Sequence, residues 1–150
     1  MLHPEEIHIA FTYEQLPDVV HALDHELKKY AIITFDGGLG AGKTTFIKQL
    51  LTFWGIDPFY VTSPTFTYLN QYKTSDMITI FHFDLYRLQT LDDFTAAGFD
   101  EYLYQKNSKV FIEWPDIVMP LLKTSVVHLS FEYGTEQNER ILSVKKSDLL

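Results

Sequence analysis

Hydrophobic and polar positions along the chain change period several times, from the two-residue period of strands to the helical period and back. Helical spacing is clearest near the N-terminus, where the apolar positions are Leu16, Val19, Val20, Leu23 and Leu27. Such a stripe predicts an amphipathic helix. The stretch from Thr12 to Gln15 has the form of a capping box, and Pro17 allows the regular helix to begin a turn later.

Strand-like apolar runs cover residues 7–11, 30–35, 77–84, 109–114, 126–133 and 140–144. The run YAIITF is apolar without interruption, as expected for a strand buried on both faces of a sheet. A second helix is predicted over residues 43–54, ended by Gly55 and Pro58. This alternation predicts one α/β domain over residues 1–150, a mainly parallel sheet flanked by helices with an antiparallel C-terminal hairpin at its edge.

Composition limits which partners the chain can bind and in which compartment it is expected. The 150 residues carry a formal net charge of −8, whereas proteins that grip nucleic acid show a basic face. We therefore expect no binding of RNA or DNA by this chain alone. The chain has no cysteine, which excludes disulfides and thiolate metal sites. Neither a membrane-spanning run nor a secretory signal is present, so a cytoplasmic location is expected.

The chemistry begins at the turn between the run 30–35 and the second predicted helix. Gly37, four further residues and Gly42-Lys43-Thr44 satisfy the G-x-x-x-x-G-K-[ST] spacing of a P-loop. The phosphate-binding residues it predicts are Gly37, Gly38, Leu39, Gly40, Ala41, Gly42, Lys43, Thr44 and Thr45. Lys43 would reach the β- and γ-phosphates, and Thr44 would give a hydroxyl to Mg²⁺. The alternative is a glycine turn that caps a helix, with Lys43 in solvent.

Two carboxylates stand at the ends of apolar runs, Asp84 after ITIFHF and Glu113 after KVFI. In an open α/β sheet the C-terminal strand ends line the ligand crevice. The sequence favours Asp84 for Mg²⁺ and Glu113 for orienting the attacking water, with both kept as metal candidates. The alternative is that each acid caps its strand or pairs with Arg87 or a lysine.

Three further residues have less decisive patterns. In SPTF, Pro64 fixes the backbone beside Thr65, which is a candidate for a switch-like contact with the γ-phosphate, although an ordinary turn fits equally. His82 shares a strand face with Asp84 and is a candidate to line the site, although a satisfied core histidine is the favoured interpretation. Trp114 lies between Glu113 and a rigid proline and is kept as a nucleotide-site candidate.

Four motifs in this order, GGLGAGKTTF, SPTF, HFDLYRL and EWPD, resemble the bacterial TsaE (YjeE-type) ATPase family, which acts in making threonylcarbamoyladenosine in tRNA. The resemblance spans residues 30–116. It implies a three-layer P-loop NTPase-like domain that uses ATP and Mg²⁺ and works with the proteins TsaD and TsaB, contacting tRNA only through that complex. The family's ATP hydrolysis is thought to reset the complex between turnovers.

The resemblance also carries site residues to this chain. It implies Lys43, Thr44 and Thr45 at phosphates and Mg²⁺, Thr65 as a switch-like contact and Asp84 as the metal-side acid. It further implies that Glu113 and Trp114 form a functional pair at a strand end.

Two departures from the family pattern stand out. Gly38 occupies the position after the first motif glycine, where members usually have an acid, so any contact made by that acid is lost here. Asp93-Phe94 stands where Glu-Leu is usual, and we expect the helix there to survive.

Three alternative functions stay open on the residues alone. A GTPase would carry N-K-x-D and D-x-x-G patterns, which are absent. A small P-loop kinase would use several arginines to clamp phosphates, and the chain has only Arg87 and Arg140. A nucleotide-dependent binding module would keep Lys43 and be indifferent to loss of Glu113. We expect slow ATP hydrolysis that depends on partners, because no arginine finger is evident.

Overall fold

The structure, a computed structural model, describes residues 6–147. Its strands are β1 (Glu6–Thr12), β2 (Ile32–Gly37), β3 (Leu69–Lys73), β4 (Thr79–Asp84), β5 (Ser108–Glu113), β6 (Val126–Tyr133) and β7 (Glu139–Ser147). Its helices are α1 (Leu16–Leu27), α2 (Lys43–Phe53) and α3 (Leu91–Ala96). Short 3₁₀ helices cover Tyr13–Gln15, Pro58–Tyr60, Phe99–Tyr102 and Asp116–Leu121.

All seven strands join one sheet in the order β1-β7-β6-β2-β5-β4-β3. The four central strands β6, β2, β5 and β4 are mutually parallel, and β3 and β7 each run antiparallel to their neighbours. The predicted fold class, a mainly parallel sheet with an antiparallel C-terminal hairpin, is confirmed. The structure adds β1 outside β7, so the outermost strand on that side is the N-terminal one.

Helices cover the sheet on two faces and make three layers. On one face α1 and α2 contribute Leu23, Leu27, Ile47 and Leu50 to a core that includes Phe35 and Phe111 of the sheet. On the other face α3 contributes the fully buried Phe94 to a core with Phe83 and Ile112. Phe94 lies at one of the departures from the family pattern, and α3 forms there as expected, with Thr90 Oγ1 accepting from the Asp93 amide at 3.1 Å.

The start of α1 follows the predicted capping pattern. The Gln15 side chain accepts a hydrogen bond from the Thr12 amide at 2.9 Å, and this box closes the short 3₁₀ turn Tyr13–Gln15. The regular helix begins one turn later at Leu16, with Pro17 in its first turn, where its missing N–H costs no helical hydrogen bond.

Strand register brings the candidate chemistry to one edge of the sheet. The β5 residue Glu113 is paired with Phe35 of β2 on one side and with Asp84 of β4 on the other. Because these three strands are parallel, their C-terminal ends meet next to the turn that leads from β2 into α2. Within residues 6–147 no helix is long and apolar enough to cross a membrane.

Candidate functional site

The turn between β2 and α2 has the backbone of a phosphate-binding loop. Gly37 lies at φ 144°, and a Cβ there would be 2.6 Å from the carbonyl oxygen of Phe131 on β6. Gly42 lies at φ 108° and directly precedes Lys43, the first residue of α2. These backbone angles are open to glycine and strained for other residues. The loop therefore leads directly into the N-terminus of α2, where the free backbone amides favour the binding of anions.

Lys43 crosses this loop from the first turn of α2. Its ammonium donates to the carbonyl oxygens of Gly37 and Gly38, the latter at 3.0 Å, and lies 3.9 Å from the centre of the Trp114 ring. The residue is only 6% exposed. Burial lowers the pKa of Lys43, and the negative charge of Glu113 acts in the opposite direction. The result is a partly desolvated cation beside the loop, which interacts more strongly with an anion than a solvated one would.

Glu113 is held at both carboxylate oxygens. Thr44 Oγ1 donates to Glu113 Oε1 at 2.7 Å, and His82 Nε2 lies 2.7 Å from Glu113 Oε2. Glu113 is 1% exposed and His82 is fully buried. The candidate Mg²⁺ hydroxyl and the β5 carboxylate are thus in direct contact.

Asp84 faces a different element, the loop that contains SPTF. Its Oδ2 accepts hydrogen bonds from Ser63 Oγ at 3.0 Å and Thr65 Oγ1 at 3.1 Å. Its Oδ1 accepts from the Tyr86 amide at 3.0 Å. Asp84 therefore ties the SPTF loop to the end of β4, and it brings Thr65 to the same cleft as Lys43.

Trp114 lies directly after β5 in a left-handed conformation, at φ 57°. Its ring contacts the Lys43 ammonium on one side and packs against Tyr86 with ring centres 4.9 Å apart. A bulky residue with positive φ is uncommon and strained. Here the turn places the indole beside the lysine, at the margin of the core on the α3 face.

Two clefts meet at the loop. The larger, about 290 Å³, is lined by Leu39, Gly40, Ala41, Gly42, Lys43, Thr44, Thr45, Ser63, Thr65, Asp84, Tyr86, Glu113 and Trp114. The smaller, about 150 Å³, shares Gly40, Ala41, Gly42 and Thr45 and is bounded by Phe11, Tyr13, Leu16, Asn138 and Arg140. The two clefts therefore lie on either side of these shared loop residues, and the carboxylates Asp84 and Glu113 line only the larger one.

The donor set of the larger cleft fits a magnesium ion bound together with a nucleotide. Thr44, Glu113 and Asp84 offer oxygen ligands, which Mg²⁺ prefers. Residues 6–147 contain no cluster of three or more His, Cys, Asp or Glu side chains placed to hold a metal by themselves. Mg²⁺ in nucleotide sites is typically held by one or two side chains plus phosphates and waters, so this arrangement suits it.

Comparison with known proteins decides the family. The family model described as "Threonylcarbamoyl adenosine biosynthesis protein TsaE" matches residues 11–142. The chain belongs to the TsaE family. The match extends beyond the four motifs at both ends and includes α1 and most of the C-terminal hairpin.

Individual relatives agree with this assignment. A Rickettsia conorii protein named "tRNA threonylcarbamoyladenosine biosynthesis protein TsaE" is 32% identical over 138 residues, 92% of this chain and 77% of that protein. A Borreliella burgdorferi protein of the same name is 38% identical over 102 residues, 67% of this chain and 72% of that one. The crystal structure of Bacillus subtilis YdiB superposes with a TM-score of 0.65 at 21% identity, covering 97% and 88% of the two chains, and shows the shared fold.

Within this TsaE family fold, the residues predicted from sequence come together with one change of emphasis. Lys43, Thr44, Thr65, Asp84, Glu113 and Trp114 all line the larger cleft. The sequence favoured Asp84 for the metal side, yet Glu113 is the acid that contacts Thr44. The reason is strand order, because β5 lies beside β2 while β4 lies one strand further away.

Some site residues of this TsaE family member were missed or undervalued by sequence reasoning. Ser63 was treated only as the residue before Pro64, and Tyr86 only as part of FDLYRL; both line the cleft. His82 was favoured as a satisfied core histidine; it is fully buried, but its Nε2 contacts Glu113 and its Nδ1 has no partner among residues 6–147. The signal for His82 was present in the alternation that puts it on the same strand face as Asp84.

Proposed function

We propose that this chain binds ATP with Mg²⁺, hydrolyses it slowly, and serves as an accessory protein with TsaD and TsaB in forming threonylcarbamoyladenosine in tRNA. The observation that carries the proposal is the Thr44–Glu113 hydrogen bond beside the P-loop of a TsaE family chain. A P-loop threonine in contact with a strand-end carboxylate is the arrangement that a metal–nucleotide pair needs.

Phosphate binding would rest on Lys43 and the loop backbone. The Lys43 ammonium now donates to two loop carbonyls, which are weaker acceptors than ionised phosphate oxygens. It can therefore exchange these bonds for phosphate without a large movement, since it already lies within the cleft. The N-terminus of α2 adds favourable electrostatics for the same group.

Mg²⁺, when bound, would neutralise charge on the β- and γ-phosphates. We assign Thr44 and Glu113 to its immediate surroundings and keep Glu113 as the residue that orients the attacking water. Asp84 is assigned to the metal side through the loop that it anchors, with Thr65 as a contact for the γ-phosphate. Both assignments use side chains that are already hydrogen-bonded, so little reorganisation accompanies binding.

The nucleobase and ribose would extend across Thr45 into the smaller cleft. Phe11 and Tyr13 offer aromatic surface there, and Asn138 and Arg140 offer polar groups. Guanine-reading patterns are absent from the sequence, which favours ATP over GTP.

We expect slow hydrolysis because the larger cleft, as lined by residues 6–147, lacks an arginine to stabilise charge in the transition state. No arginine is among the described residues that line the larger cleft. Arg87 lies over the Phe66 ring at 4.3 Å, and Arg140 lies over the Tyr133 ring at 4.4 Å. An arginine finger supplied by a partner typically accelerates such reactions by about 10³–10⁵-fold, and a site without one is slow.

The proposal is tested by reconstituting the tRNA modification from purified TsaD, TsaB and the enzyme that supplies the threonylcarbamoyl group, with this chain omitted, wild type or Lys43→Ala. We expect multiple turnovers only with the wild type. Steady-state ATP hydrolysis is measured in parallel, alone and with both partners, and should rise with the partners. Fast hydrolysis that is indifferent to them, or modification that proceeds equally without this chain, contradicts the proposal.

Glu113→Gln separates hydrolysis from a simple binding module, with Glu132→Gln on β6 as the exposed control. We expect Glu113→Gln to bind ADP without Mg²⁺ about as tightly as the wild type and to lose about 10²-fold in turnover. Normal turnover in Glu113→Gln would remove the water-orienting role.

A further inference from the structure

His82 is an unusual residue to find at the centre of a β-sheet. It lies on β4, is fully buried, and packs near Tyr72 of β3 with ring centres 6.3 Å apart. Its Nε2 is 2.7 Å from Glu113 Oε2, while its Nδ1 has no hydrogen-bond partner among residues 6–147. The Glu113 contact is therefore the ring's polar link to the described part of the chain.

The chemistry of this contact fixes which nitrogen carries the proton. A carboxylate oxygen accepts hydrogen bonds, so we assign the N–H of this contact to His82 Nε2. The bare Nδ1 is then an acceptor without a partner, which is less costly when buried than an orphaned N–H. In this tautomer the ring has one N–H group, and that group points toward Glu113.

The two donors on Glu113 divide its carboxylate. Thr44 takes Oε1 and His82 takes Oε2, each at 2.7 Å. The terminal torsion of a glutamate is broad when nothing holds it. With His82 on the far oxygen, the carboxylate plane is fixed and Oε1 stays directed toward Thr44 and the cleft.

Stability alone does not account for this histidine. Leaving a buried polar atom unpartnered costs free energy that an apolar ring of similar shape would avoid. Ile80, two residues before His82 and on the same face of β4, is fully buried in the core, so this face accepts apolar side chains.

We propose that His82 is a positioning residue for the proposed ATP hydrolysis, which holds the Glu113 carboxylate from the side opposite Thr44 so that Oε1 faces the metal and the attacking water. The contact between His82 and Glu113 is a feature of the free chain, whereas its effect on hydrolysis rests on the proposed function. Positioning groups of this kind are typically worth about 10–100-fold in metal affinity or activity.

The test compares two amides that differ in reach. His82→Gln places an N–H donor at the distance of the histidine Nε2, whereas His82→Asn is one methylene shorter and cannot reach Glu113. His128→Asn is the matched control, since His128 is a half-buried histidine of the same sheet that contacts Thr34 at 2.7 Å. Thermal unfolding is measured for all three.

In steady-state ATP hydrolysis we expect His82→Asn to lower kcat by about 10–100-fold with KM changed less than about threefold. His82→Gln should recover kcat to within about threefold of wild type, and His128→Asn should match wild type. In the Glu113→Gln background, His82→Asn should change kcat less than about twofold, because both substitutions disrupt the same His82–Glu113 contact. Equal losses in the two amides, additive effects in the double variant, or unfolding of both amides would overturn the proposal.

Two measurements remain informative if the chain proves not to hydrolyse ATP. Long-range proton–nitrogen NMR on the free wild type should show His82 protonated at Nε2 alone, and protonation at Nδ1 overturns the inference. The gain in ADP affinity on adding Mg²⁺ should shrink by about tenfold in His82→Asn and persist in His82→Gln. An unchanged gain in His82→Asn also overturns it, whereas absent hydrolysis by itself contradicts only the proposed function.

Discussion

Lys43 is held in place by carbonyl oxygens and an aromatic face, and not by a carboxylate. Its ammonium donates to Gly37 and Gly38 and lies against Trp114. Because burial lowers the pKa of Lys43, the buried charge adds little to the stability of the free chain. We expect this charge to contribute free energy mainly when an anion is bound beside it.

Replacement of this residue should therefore separate affinity from stability. We expect Lys43→Ala to weaken ADP binding by about 10–100-fold, the worth of hydrogen bonds to a charged group, while the free chain unfolds within a few degrees of wild type. Isothermal titration with ADP and Mg²⁺ and a thermal scan check both parts. Lys48→Ala, an exposed lysine on α2, is the control. Undiminished ADP affinity in Lys43→Ala would show that the loop is not a phosphate cradle.

Substitution of the two adjacent loop glycines by alanine should affect the free energy of unfolding to very different extents. A Cβ on Gly37 would be 2.6 Å from the Phe131 carbonyl, whereas a Cβ on Gly38 has nothing within 4 Å. We expect Gly37→Ala to cost about 1–3 kcal/mol through backbone strain, and Gly38→Ala to stay within about 0.5 kcal/mol. Urea denaturation of both variants measures this. Equal stability of the two variants would mean that β6 does not constrain the loop.

Sequence reasoning reached some of these residues and not others for a physical reason. Lys43 and Thr44 follow from local spacing, since a P-loop is one continuous segment. The contact between Thr44 and Glu113 joins residues far apart in the chain, and it depends on β5 lying beside β2. Spacing within the sequence carries no information about strand order, so it could not show that Glu113, and not Asp84, contacts Thr44.

At the scale of elements, β2 is the strand on which the site depends. It lies between β5 and β6, and all three are parallel. Its buried Thr34 contacts His128 of β6 at 2.7 Å, which ties the P-loop strand to its neighbour. A change in the charge of His128 therefore acts on the pairing of β2 with β6 and so on the stability of the fold.

This contact predicts a pH effect on stability. Burial, and next the charge of Lys145, lowers the pKa of His128 from its usual 6.5. The unfolded chain then binds more protons than the folded one as the pH falls below 6.5, so stability is lost in that direction. Between about pH 7.5 and 5.5 we expect the unfolding temperature of wild type to fall about 1–2 °C more than that of His128→Asn. His25→Asn, an exposed position on α1, should fall like wild type; an identical fall in His128→Asn contradicts the prediction.

Elements with strong periodicity were predicted and a weak one was not. The apolar stripes gave α1 and α2, and the apolar runs gave six of the strands. Strand β3, LNQYK, has few apolar residues because it is an edge strand, paired to β4 alone and half exposed. Its pattern is close to that of a loop, and only pairing with β4 makes it a strand.

The whole molecule is acidic, and this bears on the proposal that it contacts tRNA only through its partners. A net charge of −8 repels a polyanion, and phosphate contacts supply most non-specific affinity. We expect the chain alone to bind tRNA more weakly than about 10⁻⁴ M at physiological salt, measured by fluorescence anisotropy with labelled tRNA. Micromolar binding that weakens steeply with added salt would show a basic surface and contradict an indirect role.

The position of β1 outside β7 has a consequence for how the protein is made. The register joins Glu6 to Lys145 and Thr12 to Glu139, so among residues 6–147 the strand made earliest pairs with the strand made latest. Strand β2 likewise takes its neighbours from β5 and β6, with Gly37 opposite Phe131. Such distant pairings are slow to form and cannot precede synthesis of their partners. A nascent chain should thus assemble the cleft beside the turn between β2 and α2 only after β5 and β6 have been made.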